Sequence, residues 1–317
     1  MKAPLHNMYN ARYTESIILI CLMAFFIKTA ANIVLISFIK VIVDTIKWRF
    51  WGIVLFAGLL TLHTIYNNVI IMREKYSEQR IVSCYEADAN HNFRPTAMLD
   101  LMQEAAGRDA SVLGFGYDDM ISSNTAWVLS RIRVIFHKNP KWRDSINLKT
   151  WHKGANRIFY LRDFILESPD GERLVSATTS WLIIDLSSRR MMRNTTLAEN
   201  FDNASMGHAI EEPADKVILP KDSQLELVHT HKVVWSDIDT NGHVNNVKYA
   251  VWALDCVDYQ IAKERELKEM LINYDCEVMP GQEVDLYRVS TEENGSLAYY
   301  VVGKVAGKTS FSLKMTF

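Results

Sequence analysis

Three features of the 317-residue sequence predict an α+β fold built from two copies of one unit. Two helical stretches are entered through matching polar strings. Each is followed by four strand-like segments. Turn-forming residues separate those segments, so each copy is one helix and an antiparallel meander, and the sheet must cover the helix to bury its apolar stripe.

Residues 1–72 stand apart from this pattern. They hold six bases and two acids, a net of +4, whereas residues 73–317 hold 29 bases and 35 acids, a net of −6. The stretches 16–39 and 50–71 are each long enough to cross a bilayer, which takes about 20 apolar residues. Both carry polar residues: Lys28 and Asn32 in the first, His63, Asn67 and Asn68 in the second. Bases on both sides of the second stretch give no consistent orientation. Two readings stay open for this apolar helical extension: a membrane anchor, or an upstream segment with no part in the activity.

The soluble pattern starts near residue 74. The first helix entry reads YEADANHNFRPTAMLDLMQEAA (85–106) and the second SDIDTNGHVNNVKYAVWALDCV (236–257). A shift of 151 residues places Asp88 on Asp239, Asn90 on Asn241 and Asn92 on His243. Met98, Leu101, Met102 and Ala105 in one helix, and Val247, Ala250, Val251 and Leu254 in the other, follow the spacing of a helix with one buried face. Strands are expected at 126–136, 145–154, 157–168 and 174–186, and again at 271–278, 283–291, 297–305 and 308–317. Ser168-Pro169-Asp170-Gly171, Pro280-Gly281 and Asn294-Gly295 mark turns. The resulting division is a first unit at 74–193, a polar linker without periodicity at 194–224, and a second unit at 225–317.

Composition excludes several classes. A net charge of −2 with 49% apolar residues fits neither a disordered chain nor a basic nucleic-acid binder. Four cysteines without CxxC or CxxH spacing argue against a disulfide framework or a zinc site and suit a reducing compartment. There is no glycine-rich phosphate loop, no metal-ligand cluster and no GxSxG elbow, so no cofactor is expected.

Three stretches carry a family resemblance: HNFRPTAMLDLMQEAAGRDASVLGFG; PKWRDSINLKTW with SATTSWLIIDLSSRRMMR; and SDIDTNGHVNNVKYAVWALD. Over 74–317 the chain resembles the acyl-acyl-carrier-protein (acyl-ACP) thioesterases of bacterial and plant type. The resemblance implies a tandem (double) hotdog, each half a long helix wrapped by a curved antiparallel sheet. It further implies hydrolysis of acyl-ACP to a free fatty acid. Residues 1–72 lie outside the resemblance; the expected localisation is a cytoplasmic catalytic part, membrane-anchored should residues 1–72 insert. A homodimer is left open. An acyl-CoA thioesterase on the same fold and a non-catalytic acyl-binding protein are the alternatives.

The site follows from the residues and the resemblance together. Asp239, Asn241 and His243 alternate just before a helix, and in an extended chain they would share one face. The helix start offers unpaired backbone N–H groups, which suit the oxyanion formed when a thioester is attacked. The family's Y-x-x-E string falls on Tyr274-Asp275-Cys276-Glu277, and so assigns a further acid to Glu277. Plant members often carry Cys after this Glu; here it is Val278, which excludes a nucleophile there. The implied roles are Asp239 as general base or nucleophile, Asn241 and His243 as orienting groups, and Glu277 as water-activating base. The N–H groups of Val244, Asn245 and Asn246 are the expected oxyanion donors. The bland readings are an Asp that caps a helix, a structural His and a solvated Glu; Asn245 or Asn246 as the cap would leave Asp239 for chemistry.

Aligning Ile146 with Val284 sets Asn139 opposite Glu277. The first unit then lacks both His and Glu and is expected to bind the acyl chain, with Met98, Leu99, Met102, Trp127, Leu129 and Phe136 as candidate pocket residues. An acidic carrier protein would need a local basic patch. Arg189, Arg190 and Arg193, with Lys138, Lys141 and Arg143, are the candidates.

Overall fold

The computed structural model describes residues 75–192 and 206–317. The expectations for residues 1–72 therefore lie outside the described residues. Among the described residues no helix is long and apolar enough to cross a membrane.

The first half runs β1 (Tyr76–Ile81), α1 (Pro95–Val112), α2 (Tyr117–Ser122), β2 (Thr125–Phe136), β3 (Ser145–Asn156), β4 (Phe159–Glu167), β5 (Arg173–Asp185) and a short β6 (Met191–Met192). The second runs β7 (Glu226–Lys232), α3 (Asn246–Asp255), α4 (Tyr259–Glu264), β8 (Glu269–Tyr274), β9 (Glu283–Glu293), β10 (Ser296–Val305) and β11 (Lys308–Thr316). The expected meanders are present. The edge strands β1 and β7 are additions. Their sequences YSEQRI and ELVHTHK are polar because each pairs on one side only.

Sheet order is β1-β3-β4-β5-β2-β8-β11-β10-β9-β7, with β6 pairing β5. Each half has the same order from its outer edge inward. They meet where β2 pairs antiparallel with β8, Ile132 opposite Ile272. The two halves are thus one continuous sheet around both helices rather than two domains on a tether, and the described residues form a single compact unit.

The internal duplication extends to individual hydrogen bonds. Asp88 N donates to Asn92 O at 2.8 Å, and Asp239 N to His243 O at 2.9 Å. Arg94 N donates to Glu86 O, and Asn245 N to Asp237 O. Phe93 N donates to Pro140 O, and Val244 N to Val278 O. Arg80 stands opposite Ile146 in one half and His231 opposite Val284 in the other. These matches fix the alignment independently of side-chain identity, and they put Asn139 where the second half has Glu277.

The stripe Met98, Leu101, Met102 and Ala105 of α1 is fully buried under the sheet. On α3 the buried face is wider than expected and takes in Tyr249, Trp252 and Ala253, while Val251 and Leu254 are half-buried beside it. The second helix is also broken. With the shift of 151, α3 and α4 together correspond to α1. The break at Cys256–Asp258 is held by Arg288, which donates to Cys256 O and Asp258 Oδ1 at 2.8 Å, and by Tyr299 OH on Asp258 Oδ2 at 2.6 Å.

Described linker residues are pinned rather than loose. Ala209 N donates to the buried Asp163 at 2.7 Å, Trp151 Nε1 to Gly207 O at 3.1 Å, and Val217 N to Asn273 Oδ1 at 2.7 Å. Ile210 and Ala214 are buried by these contacts.

Candidate active site

The helix entry of the second half is not extended. Gly242 N donates to Asp239 O at 3.0 Å, and Asp239 Oδ1 accepts the Asn241 N–H at 2.8 Å, an Asx-type turn. Ile238 and Val244 bridge across its base. Gly242 sits at φ +78°, in the left-handed region that glycine enters without steric cost. The alternation of Asp239, Asn241 and His243 therefore reflects positions in a tight loop and not one face of a strand, which corrects the expectation from spacing. All three nevertheless line one cavity.

Glu277 lines the same cavity, but from a loop and not from a strand. β8 ends at Tyr274, because Asp275 N and Cys276 N both turn onto Ser310 O. The chain then crosses the helix mouth and is tied by Val244 N to Val278 O at 3.1 Å. Glu277 Oε1 lies 3.8 Å from His243 Nδ1 and 3.8 Å from an Arg189 guanidinium nitrogen. Its side chain is 45% exposed and that of His243 24% exposed, so the group stands at the mouth of the cavity.

The expected oxyanion donors divide. Val244 N–H and Asn245 N–H are already spent on Val278 O and Asp237 O and cannot reach a substrate. Asn245 is the helix cap, its Oδ1 accepting Val247 N–H at 2.8 Å. Asn246 N–H has no partner among the described residues, and Asn246 lines the cavity. It is the one donor of the three still available.

The cavity holds about 740 Å³ and runs from this loop into the first half. Trp127 and Leu129 line it as expected. Met98, Leu99 and Met102 do not; they belong to the core, and Phe136 packs against that core. The reason is rotational. A different face of α1, carrying Gln103, Ala106, Gly107 and Ala110, looks onto the cavity. These residues follow the same helical spacing but are mostly small, which leaves room in place of filling it. A Cβ added at Gly107 would meet nothing within 4 Å. Farther in, the wall includes His152, Tyr160 and Arg162, and the Arg162 guanidinium pairs with buried Asp109 at 2.6 Å. Sequence reading missed all of these: small residues and single polar residues in strands give no pattern.

The basic candidates do not form one patch. Arg189 stands on the cavity wall facing Glu277, and Arg190 is exposed in the same hairpin turn. Lys138 pairs with Glu172 at 2.7 Å, Lys141 is exposed, and Arg143 covers the Trp142 ring at 4.3 Å. Asp185, where that turn begins, pairs with Thr125 at the start of β2, whereas Lys138 follows its end. Roughly 40 Å of strand separates the two groups at 3.3 Å per residue. Arg193 lies outside the described residues.

In the first half the equivalent loop is tied to the end of α4, Asn90 Nδ2 donating to Lys263 O at 2.7 Å, while Asn90 itself stays exposed.

A helix wrapped by an antiparallel sheet, in tandem, with carboxylate, amide and imidazole gathered at one helix mouth, defines a double hotdog of thioesterase type. Residues 73–197 match the acyl-ACP thioesterase N-terminal domain and residues 221–317 the acyl-ACP thioesterase C-terminal domain. The chain belongs to the acyl-ACP thioesterase family. It is 26% identical over 240 residues to oleoyl-acyl carrier protein thioesterase 1 of Arabidopsis thaliana, covering 69% of this chain and 65% of that one. It is 28% identical over 214 residues to a palmitoyl-acyl carrier protein thioesterase of Gossypium hirsutum, covering 63% and 51%. The chain thus spans between half and two thirds of these curated relatives. In fold it resembles the 12:0-ACP thioesterase of Umbellularia californica (TM-score 0.69, 20% identity, 76% of this chain and 92% of that one). It also resembles an acyl-ACP thioesterase of Bacteroides thetaiotaomicron (TM-score 0.64, 23% identity, 76% and 96%).

Proposed function

We propose that the chain hydrolyses the thioester of acyl-ACP and releases a free fatty acid. The observation that carries this reading is the convergence of Asp239, Asn241, His243 and Glu277 on one cavity whose inner wall is largely apolar. The acyl chain lies along the α1 face of Ala106, Gly107 and Ala110, between Trp127, Leu129 and Trp181. The thioester carbonyl stops at the loop. There Asn246 N–H receives the oxyanion, and Glu277 with His243 takes the proton of the attacking water. Asp239 acts either as a second base or as the nucleophile. In both routes a C–O bond forms, the C–S bond breaks, and the carrier thiol leaves with a proton. Single turnover in ¹⁸O water tests the nucleophilic route: label in the Asp239 carboxylate requires an acyl-aspartyl anhydride opened at the aspartyl carbonyl, whereas direct attack of water places the label only in the fatty acid.

The carrier protein is favoured over CoA as the acyl donor by the family to which the chain belongs. Arg189 and Arg190, beside the mouth, are the bases best placed to meet an acidic carrier. Rates of the full chain on matched acyl-ACP and acyl-CoA substrates test this. Faster release from the carrier is expected. Equal or faster release from CoA would assign the chain to acyl-CoA hydrolysis, and tight binding of either without turnover would assign it to acyl storage.

A further inference from the structure

The loop that carries Glu277 is clamped at the next residue from two sides. Val278 O accepts the N–H of Val244, and Val278 N donates to the phenolic oxygen of Tyr249 at 3.1 Å. The first contact has a counterpart in the first half, Phe93 N to Pro140 O. The second has none. At the place of Val278 the first half has Pro140, which carries no N–H. At the place of Tyr249 it has Met98, which carries no hydroxyl. Donor and acceptor have been exchanged together, in the half that has Asn139 in place of Glu277.

The first half keeps the Val244-type bond but secures its loop by a different second tie, Trp142 N to His91 O at 2.8 Å, at a place where the second half has Pro280. Only the second half ties its loop to the helix that follows the entry turn. Tyr249 is itself well fixed, 3% exposed, with its ring edge-on to Tyr274 at 5.5 Å and to Phe311 at 5.2 Å. It reaches the loop from the first turn of α3, the helix that also supplies Asn246. A hydroxyl on this ring can therefore hold the Glu277 loop at a set distance from the oxyanion donor.

We propose that Tyr249 is a positioning residue that holds Glu277 in register with the thioester through its bond to Val278 N–H. The inference rests on the reading of Glu277 as the water-activating base. Burial pushes the Tyr249 phenol up to about 12, so it stays protonated and its oxygen remains a neutral acceptor through the working pH range.

The test is a double-mutant cycle on the full chain with acyl-ACP. Tyr249→Phe removes only the hydroxyl. It should lower kcat on the order of tenfold to a hundredfold, the range expected for misplacing a reacting group, with KM unchanged. Glu277→Gln should lower kcat further, and adding Tyr249→Phe to it should cause no additional loss. Val278→Pro, which installs the first half's residue at the other end of the bond, should match Tyr249→Phe and add nothing to it. An equal fractional loss from Tyr249→Phe with and without Glu277 would show that the tyrosine merely supports the fold, and would overturn the proposal. So would a wild-type rate in Tyr249→Phe when Glu277→Gln is slow. A wild-type rate in Glu277→Gln would instead remove the role of Glu277, and with it this inference.

Discussion

Asp239 keeps its place through its own side chain, whose Oδ1 accepts the Asn241 N–H at 2.8 Å and closes the turn. Asparagine presents the same acceptor, so Asp239→Asn should preserve the loop while removing the charge on which the proposed attack depends. A fall of about 10²–10⁴ in kcat is expected, with little change in thermal midpoint. A second prediction concerns the cysteines. Burial pushes the Cys256 thiol up to about 11, and its Sγ–H donates to Trp252 O at 3.2 Å, so it should resist alkylation at pH 8 in the native protein. Cys84 is exposed and Cys276 half-exposed, and both should label; mass spectrometry of peptides after timed labelling reads this directly. At this scale the motif was readable because an Asx turn demands Asp or Asn at a fixed place, and it recurs 151 residues away. Its conformation was misread because residues at i, i+2 and i+4 have the same spacing in a strand and in this loop. The backbone engagement of Val244 and Asn245 has no sequence signal.

Among the elements, α1 shows how one helix serves two ends. Its large residues pack into the core, and its small ones open the cavity. Gly107 has an ordinary helical backbone and empty space where a Cβ would stand. Gly107→Ala should therefore stabilise the protein by about 0.5–1 kcal/mol in denaturant titrations. Gly107→Leu should shift preference toward shorter acyl chains, and an unchanged profile across a length panel would place the acyl chain elsewhere. The broken helix of the second half gives a pH signature. Hydrogen bonds from Tyr299 and Arg288 hold the Asp258 carboxyl below its ordinary value. A depressed carboxylate contributes stability above its unfolded pKa of about 4 and loses it as pH falls through the folded value. Asp258→Asn should cost roughly 0.5 kcal/mol at pH 7, given solvent screening at this exposed site. The difference should close as pH falls through the lowered folded value, as paired thermal melts can show. The meander strands were legible from alternation and turn residues such as Asn294-Gly295. The edge strands, the helix break and the pinned linker were not, since each depends on a partner distant in sequence.

The whole molecule is a duplication in which one copy carries the Asp239 loop and Glu277 and the other lines much of the cavity they open into. The first copy lacks more than its His and Glu: its Asn90 is bonded to the end of α4, and Pro140 and Met98 stand where the second copy has the clamp. Installing Asn92→His and Asn139→Glu together in the Asp239→Asn protein should therefore restore no turnover. Recovery of the wild-type rate would mean that the chemistry needs only those side chains. Both halves are needed for one site, because the second brings the loop and the first brings the face of α1, β2 and Arg189. The most direct measurement of that claim is single-turnover release of fatty acid from acyl-ACP by the full chain, alongside acyl-ACP binding, for the native protein and Asp239→Asn. Unchanged binding with release slowed at least a hundredfold is the predicted result. Equal release from both proteins would contradict the account.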